Sequence, residues 1–503
     1  MPGAPTRLGP FAGGLNTLSD PTAVADSELV DCVNFELDLD GSLVSRPPIT
    51  LEGDTPGANP MRLLGYYVST DGTYYLLGGS DGSTYHYRNG VWTLITATFE
   101  AVAFCQFMDK AWLLAGNGSA NPGGSWTPSG GFVAVAAIPK GSSIISHKNR
   151  LWVSPGKTAT TNGSRLKFSS VTDPTVWNAS DFLDVGQGDG QNITDIVVNQ
   201  NSIVVFKNDS THIYSYDSAP DKGSVQRISA TQGASDINCV VPYENTLLVY
   251  HEGNIYEIMN YNFSRINTKV PFTVDEDPVP PTFEQTVSMS LFNDRLIVRH
   301  FNRIYVYNLR TRTWSRWTSD RIFAYFVVEP KNNLITDVPS AYAGSATTGV
   351  SELYKIEDAF TADRSENMVC SLRTKNYDYQ ISSNFKKLSW WGADVLAQGY
   401  VEVVANPIIF SFTVTWDQLA LVTWDDFGSW DQMLSSLPVV ADAVNAQGSG
   451  SRKFLKFMKA LRFRQIFFTV SIENDGTSDT APCRVFNLTT YIQTKQSSSQ
   501  RIS

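Results

Sequence analysis

The chain has 503 residues, of which 42% are hydrophobic, 12% aromatic and 17% charged, with a formal net charge of −10 and a pI of about 5.1. That length exceeds one small core and predicts two or three domains, and the composition excludes a disordered chain. The acidic balance argues against a duplex-DNA binder, which is normally basic, but allows a wall past which DNA slides without sticking.

Abundant Tyr (21), Phe (27), Trp (12) and Gly (36) favour strands and turns, so the predicted fold class is all-β. Residues 1–60 are rich in Pro and Gly and read as an extended N-terminal arm, with a short helix at 26–32. The opening MPGAPTRLGPFAGGLN lacks the apolar stretch of a secretory signal. Apolar runs such as residues 132–138 are far too short to span a membrane.

Residues 61–363 carry an internal repeat. Each unit is an apolar strand, a polar turn, then three or four apolar residues, as in FCQFMDKAWLL and VVPYENTLLVY. The turn residues are Gly72, Asp109, Asn149, Asn201, Asn245, Asp294 and Asn333, at gaps of 37, 40, 52, 44, 49 and 39 residues. That spacing is the blade length of a β-propeller. Second hairpins such as GSTYHYRNGVWTLI complete four strands per blade. Six or seven blades are predicted, since a terminal strand can close the ring. VDEDPVPP, residues 274–281, reads as an exposed loop.

From residue 364 to 495 the register changes to longer strands. Phe468, Val470 and Ile472 alternate with Thr469 and Ser471, and Val401 and Val403 flank Glu402. This predicts a C-terminal β-sandwich-like domain, interrupted near 411–450 by a Trp-rich insertion. In it, Trp416, Trp424 and Trp430 each precede an Asp and follow a Thr or Ser, like successive helix caps. They are candidates for packing at a subunit interface or for stacking on a glycan. SRKFLKFMKALRFR follows, with Arg452, Lys453, Lys456, Lys459, Arg462 and Arg464 beside a helical stripe of Phe454, Met458 and Leu461. It reads as a solvated face or as a dock for an acidic partner ring. The tail, 496–503, is polar and predicted to be flexible.

No catalytic, cofactor or metal residues are assigned. The five histidines stand alone, with no HExxH and no His/Cys cluster. The five cysteines are scattered and read as free thiols. ELDLDGSL mimics the start of a calcium loop, but Pro47 stands where a bidentate Glu is required. A hairpin turn explains it as well. The closely spaced glycines of GQGDGQ have no helix after them and predict a wide turn between blades. A sialidase reading fails on the spacing of STDGTYY and SDGSTY, which also lack the Trp.

Three N-terminal elements follow one another in order. They are Gly13-Gly14-Leu15-Asn16, ELVDCVN (28–34) and Gly41-Ser42-Leu43-Val44-Ser45-Arg46; HKNRLWV (147–153), SSVTDPTVWN (169–178) and TKNYDY with NFKKLS come later. Together they resemble the propeller-bearing tail proteins of tailed bacteriophages, the nozzle, hub and minor-tail or tip kind. Pro47-Pro48 stands where that group often has Gly. The resemblance implies a non-enzymatic virion component assembled in the host cytoplasm. It also implies a six-fold or three-fold ring of identical subunits, other tail or connector proteins as partners, and DNA only in passage. A host-glycan receptor-binding tail protein is the alternative.

Overall fold

The computed structural model describes residues 5–494 except 58, 60, 218, 221–222, 273–286, 302, 319–322, 329–339, 346–351, 357–367, 380–385, 398–399, 409–451, 458–460, 464 and 475–482. Among the described residues every regular element is a β-strand. Two compact units emerge. One comprises 1–48, 310–317 and 359–503, the other 49–309 and 318–358. The expected arm boundary at residue 60 therefore moves to 48, and a short central segment joins the N- and C-terminal regions.

The second unit is a seven-bladed β-propeller. Blade one is Arg62–Val68, Tyr74–Ser80, Ser83–Arg88 and Val91–Thr96, and blade two is Ala101–Phe107, Lys110–Ala115, Gly124–Thr127 and Gly131–Ala134. Blade three is Ser143–His147, Arg150–Ser154, Arg165–Phe168 and Phe182–Asp184, and blade four is Ile193–Asn199, Ser202–Lys207, Thr211–Ser215 and Ser224–Ser229. Blade five is Val240–Tyr243, Thr246–His251, Asn254–Met259 and Asn262–Arg265, and blade six has Val287–Phe292, Arg295–His300 and Arg303–Asn308 in this unit. Blade seven joins Phe323–Val328, Ala341–Ser345 and Glu352–Ile356 to Ile49–Asp54 from the other end of the chain. The first strands neighbour one another in turn, and Phe323–Val328 neighbours Arg62–Val68, so the ring closes.

The repeated turns explain the blades. Met108 and Asp109, Lys148 and Asn149, and Asn293 and Asp294 all have positive φ. Two such residues in succession make the tight turn whose twist matches paired strands. Gly72, Asn201 and Asn245 also lie between the first two strands of their blades, and Asn333 lies outside the described residues. Three residues after the turn a large side chain enters the interblade core. Trp112 and Trp152 are fully buried there, and their Nε1 atoms donate to Phe107 O at 3.0 Å and His147 O at 3.3 Å.

One buried carboxyl sits among the innermost strands. Asp195 Oδ1 accepts from Ser143 Oγ of blade three at 2.8 Å and from Ile196 N at 2.8 Å. Burial pushes its carboxyl up to about 6, the Asp236 carboxylate adds to the rise, and the Ser143 and Ile196 bonds oppose it. Between about pH 4 and 6 the folded chain keeps a proton that the unfolded chain releases. Stability therefore falls as pH rises through that window and stays lower above it. Asp195→Asn keeps the Oδ1 acceptor. It should match the native chain at pH 4 and exceed it by on the order of 2–3 kcal/mol at pH 7.5 in urea titrations. Identical pH slopes for the two chains would refute this.

The first unit is two facing sheets. One contains Glu28–Val33, Met368–Thr374, Gln465–Asn474 and Tyr400–Ile408, with Gly14–Leu15 beside Glu28–Val33. The other contains Lys386–Leu396, Arg484–Thr494, Leu43–Ser45 and Phe35–Leu37, with Thr6–Leu8 on Arg484–Thr494. Met368–Thr374, Lys386–Leu396 and Tyr400–Ile408 alternate between the sheets, and so do Gln465–Asn474 and Arg484–Thr494, as in a sandwich. Ile466, Phe468, Val470 and Ile472 are all buried, opposite Val401 and Val403. The helix expected at 26–32 is instead the strand Glu28–Val33. It pairs with Met368–Thr374, so partners about 340 residues away override the local pattern. The loop at 274–281, the Trp-rich insertion and the tail lie outside the described residues.

Candidate functional site

The N-terminal motif residues meet in one buried cluster of the first unit. Gly14 adopts φ +67°, and a Cβ there would lie 2.7 Å from Thr313 Cβ. Only glycine satisfies both conditions. The close approach lets Gly14–Leu15 pair in parallel with Glu28–Val33, and Asn16 Nδ2 donates to the buried Glu28 carboxylate at 2.7 Å.

Asn34 and Arg46 form the centre. Asn34 sits at φ +57°, a conformation Asn tolerates better than most residues. Its N–H donates to Arg316 O at 2.8 Å and its Nδ2 to Val369 O at 2.8 Å. Its Oδ1 accepts from Arg46 Nε at 2.9 Å, and its own carbonyl accepts from Arg46 N at 2.8 Å and from the Cys370 thiol at 3.3 Å. Arg46 is completely buried; Nη1 donates to Pro47 O at 2.8 Å and the guanidinium lies 5.9 Å from the Trp317 ring. Trp317 Nε1 donates to Glu36 Oε1 at 3.0 Å, and Arg316 pairs with Asp31 at 3.2 Å. The motif thus ties residues 14–46 to 313–317 and 369–370.

The stretch that resembles a calcium loop is a hairpin connection. Asp38 and Asp40 bracket a hairpin turn, and Arg484 Nη1 lies 3.0 and 3.4 Å from their carboxylates. GQGDGQ is the expected turn between blades three and four. Its Asp189 accepts from the fully buried Lys207 ammonium at 2.7 and 2.9 Å, beside Gly186 O and Ser164 Oγ. The two propeller motifs also meet. Arg150 Nη1 donates to Ser169 O at 2.6 Å and Leu151 N to Ser169 Oγ at 3.0 Å.

The basic stretch differs from its helical reading. Lys453–Phe457 and Leu461–Phe463 are strands, both paired with Lys386–Leu396. Strand alternation puts Arg452 and Lys456 on one face. Arg452 makes a two-armed pair with Asp394 at 2.9 and 2.5 Å and lies 4.0 Å from the Phe486 ring; Lys456 lies 4.6 Å from the Trp390 ring. Lys453 is exposed. The side chain of Arg462 and all of Lys459, Arg464, Trp416, Trp424 and Trp430 lie outside the described residues.

All five cysteines are free, with Cys32, Cys239, Cys370 and Cys483 buried. Cys32 and Cys370 belong to the motif region, a role their spacing did not reveal. Among the described residues no helix is long and apolar enough to cross a membrane.

No family model matches the sequence, and no curated protein matches it. Several solved structures do. The extracellular domain of the putative one component system BT4673 from B. thetaiotaomicron is 11% identical over 73% of this chain, at a TM-score of 0.46. The Neurospora crassa Pan2 WD40 domain is 10% identical over 64% of this chain and 98% of its own, at 0.40. The N-terminal domain of Nup159 is 9% identical over 65% and 98%, at 0.39. This chain spans about half of the first structure, 55%. At such identities the likeness concerns the propeller fold alone.

Proposed function

We propose that this chain is a structural component of a bacteriophage tail, a propeller-bearing nozzle, hub or tip subunit that assembles into a ring around the DNA exit channel. One observation carries the reading. The ordered motif residues Gly14, Asn16, Glu28, Asn34 and Arg46 are spent on fastening one unit rather than presented to a ligand. Buried polar groups that satisfy one another rigidify and specify a unique core. That suits a structural protein of the family the motifs resemble. The net charge of −10 suits a passage through which DNA slides.

Purified protein at tens of micromolar, measured by light scattering and imaged as particles, should form closed rings or add to tail assemblies. A chain that stays monomeric and is missing from purified virions overturns the proposal.

A further inference from the structure

Asp209, His251 and Glu252 stand together at the edge of blades four and five. Asp209 lies in the turn between Ser202–Lys207 and Thr211–Ser215, and His251 and Glu252 at the turn between Thr246–His251 and Asn254–Met259. Both turns join the second and third strands of their blades. One imidazole nitrogen and one oxygen from each carboxylate lie within 4.8 Å of one another. We propose that these three residues bind a divalent transition-metal ion, Zn2+ by ligand chemistry, which fastens blade four to blade five.

The histidine makes this more than an acidic pair. His251 is 5% exposed. Its Nδ1 is buried without a hydrogen-bond partner, and its Nε2 stands 3.9 Å from Glu252 Oε2, too far for a hydrogen bond. A neutral imidazole offers one lone pair, and a cation can take it. A cation between the ring and two carboxylates does so and also relieves the repulsion between the carboxylates.

The geometry is close to what such an ion needs. Zinc bonds to nitrogen and oxygen are about 2.0–2.2 Å, which sets tetrahedral ligand atoms roughly 3.4 Å apart. The atoms lie within 4.8 Å, so side-chain rotation has to close at most roughly 1.4 Å. Glu252, whose side chain is 71% exposed, has that freedom. Its backbone is already fixed, because Glu252 N donates to Ser235 Oγ at 3.0 Å, and Lys157 Nζ donates to Ser235 O at 2.8 Å. Asn208 Nδ2 donates to Asp209 Oδ1 at 2.6 Å and orients that carboxylate. One imidazole with two carboxylates suits Zn2+ or Co2+ better than Ca2+, which takes six to eight oxygens. Three protein ligands leave a fourth position for water.

The test uses the full chain stripped with chelator, then titrated with Zn2+ and with Co2+. Equilibrium dialysis should give one ion per chain, Co2+ should develop the visible absorption of a tetrahedral site, and Zn2+ should raise the melting temperature. Asp209→Asn and Glu252→Gln alter partly or largely exposed side chains, so folding is checked readily; His251→Gln is the third variant. Each should weaken binding by more than the about 10- to 100-fold that follows loss of an outer hydrogen-bond partner of a ligand. Absence of saturable uptake, or uptake unchanged in all three variants, overturns the proposal.

Discussion

Arg46→Ala is expected to destabilise the first unit by about 4 kcal/mol or more. The guanidinium is wholly buried and donates to Asn34 Oδ1 and Pro47 O. Truncation strands both acceptors at about 1–3 kcal/mol each, and it leaves a cavity beside Trp317, which adds a further cost. Urea unfolding read by tryptophan fluorescence should show a lower midpoint at unchanged slope. Arg46→Lys separates charge from geometry. One ammonium cannot reproduce a fork that donates in two directions, so the lysine variant should recover about half of the loss. An alanine variant within 1 kcal/mol of the native chain would show that the motif is not held by this residue.

Trp152→Ala should cost the propeller about 3–5 kcal/mol, the range for removing a buried aromatic. Its ring lies 4.8 Å from Phe168, 5.6 Å from Tyr214 and 5.8 Å from Tyr216, so one side chain serves blades three and four together. Calorimetry should place the melting point lower by about 10 °C, at roughly 2–4 °C per kcal/mol for a domain of this size. Trp92, only partly buried beside Tyr87 at 5.1 Å, provides the contrast. Its alanine variant should lose much less. Equal losses at the two positions would contradict the interblade account.

The propeller was readable because its turns are local. Asp109, Asn149 and Asp294 each announce a two-residue reversal, and the side chain three positions on is always apolar. The C-terminal sandwich was readable where alternation is strict, as at Phe468, Val470 and Ile472. Non-local pairing was not readable. Nothing near Ile49 or Leu51 signals that their partners are Ile356 and Tyr354, so the local pattern alone places the closing strand in an arm. Residues 26–32 read locally as a short helix, and the partners that make Glu28–Val33 a strand come from residues 368–374. In SRKFLKFMKALRFR, Phe454, Met458 and Leu461 fall at helical spacing. Pairing with Lys386–Leu396 imposes an alternating pattern in its place. The order of the N-terminal motifs was legible, but their convergence on Arg316, Trp317 and Val369 was not.

The closing strand of blade seven also dictates a timetable. Ile49–Asp54 leaves the ribosome early, and its partner Glu352–Ile356 follows roughly 300 residues later. At about 5–20 residues per second, that strand waits on the order of 15–60 s with its backbone unpaired. Unpaired edges recruit other chains, and charge is a common defence. Glu52 and Asp54 are both exposed in the closing strand, and Glu52 Oε1 accepts from Tyr87 OH at 2.9 Å, on a strand made soon afterwards. The charged residues of the strand that completes blade seven are therefore placed to discourage such pairing while the blade is open. Slowed translation before residue 352 should expose this interval as aggregation.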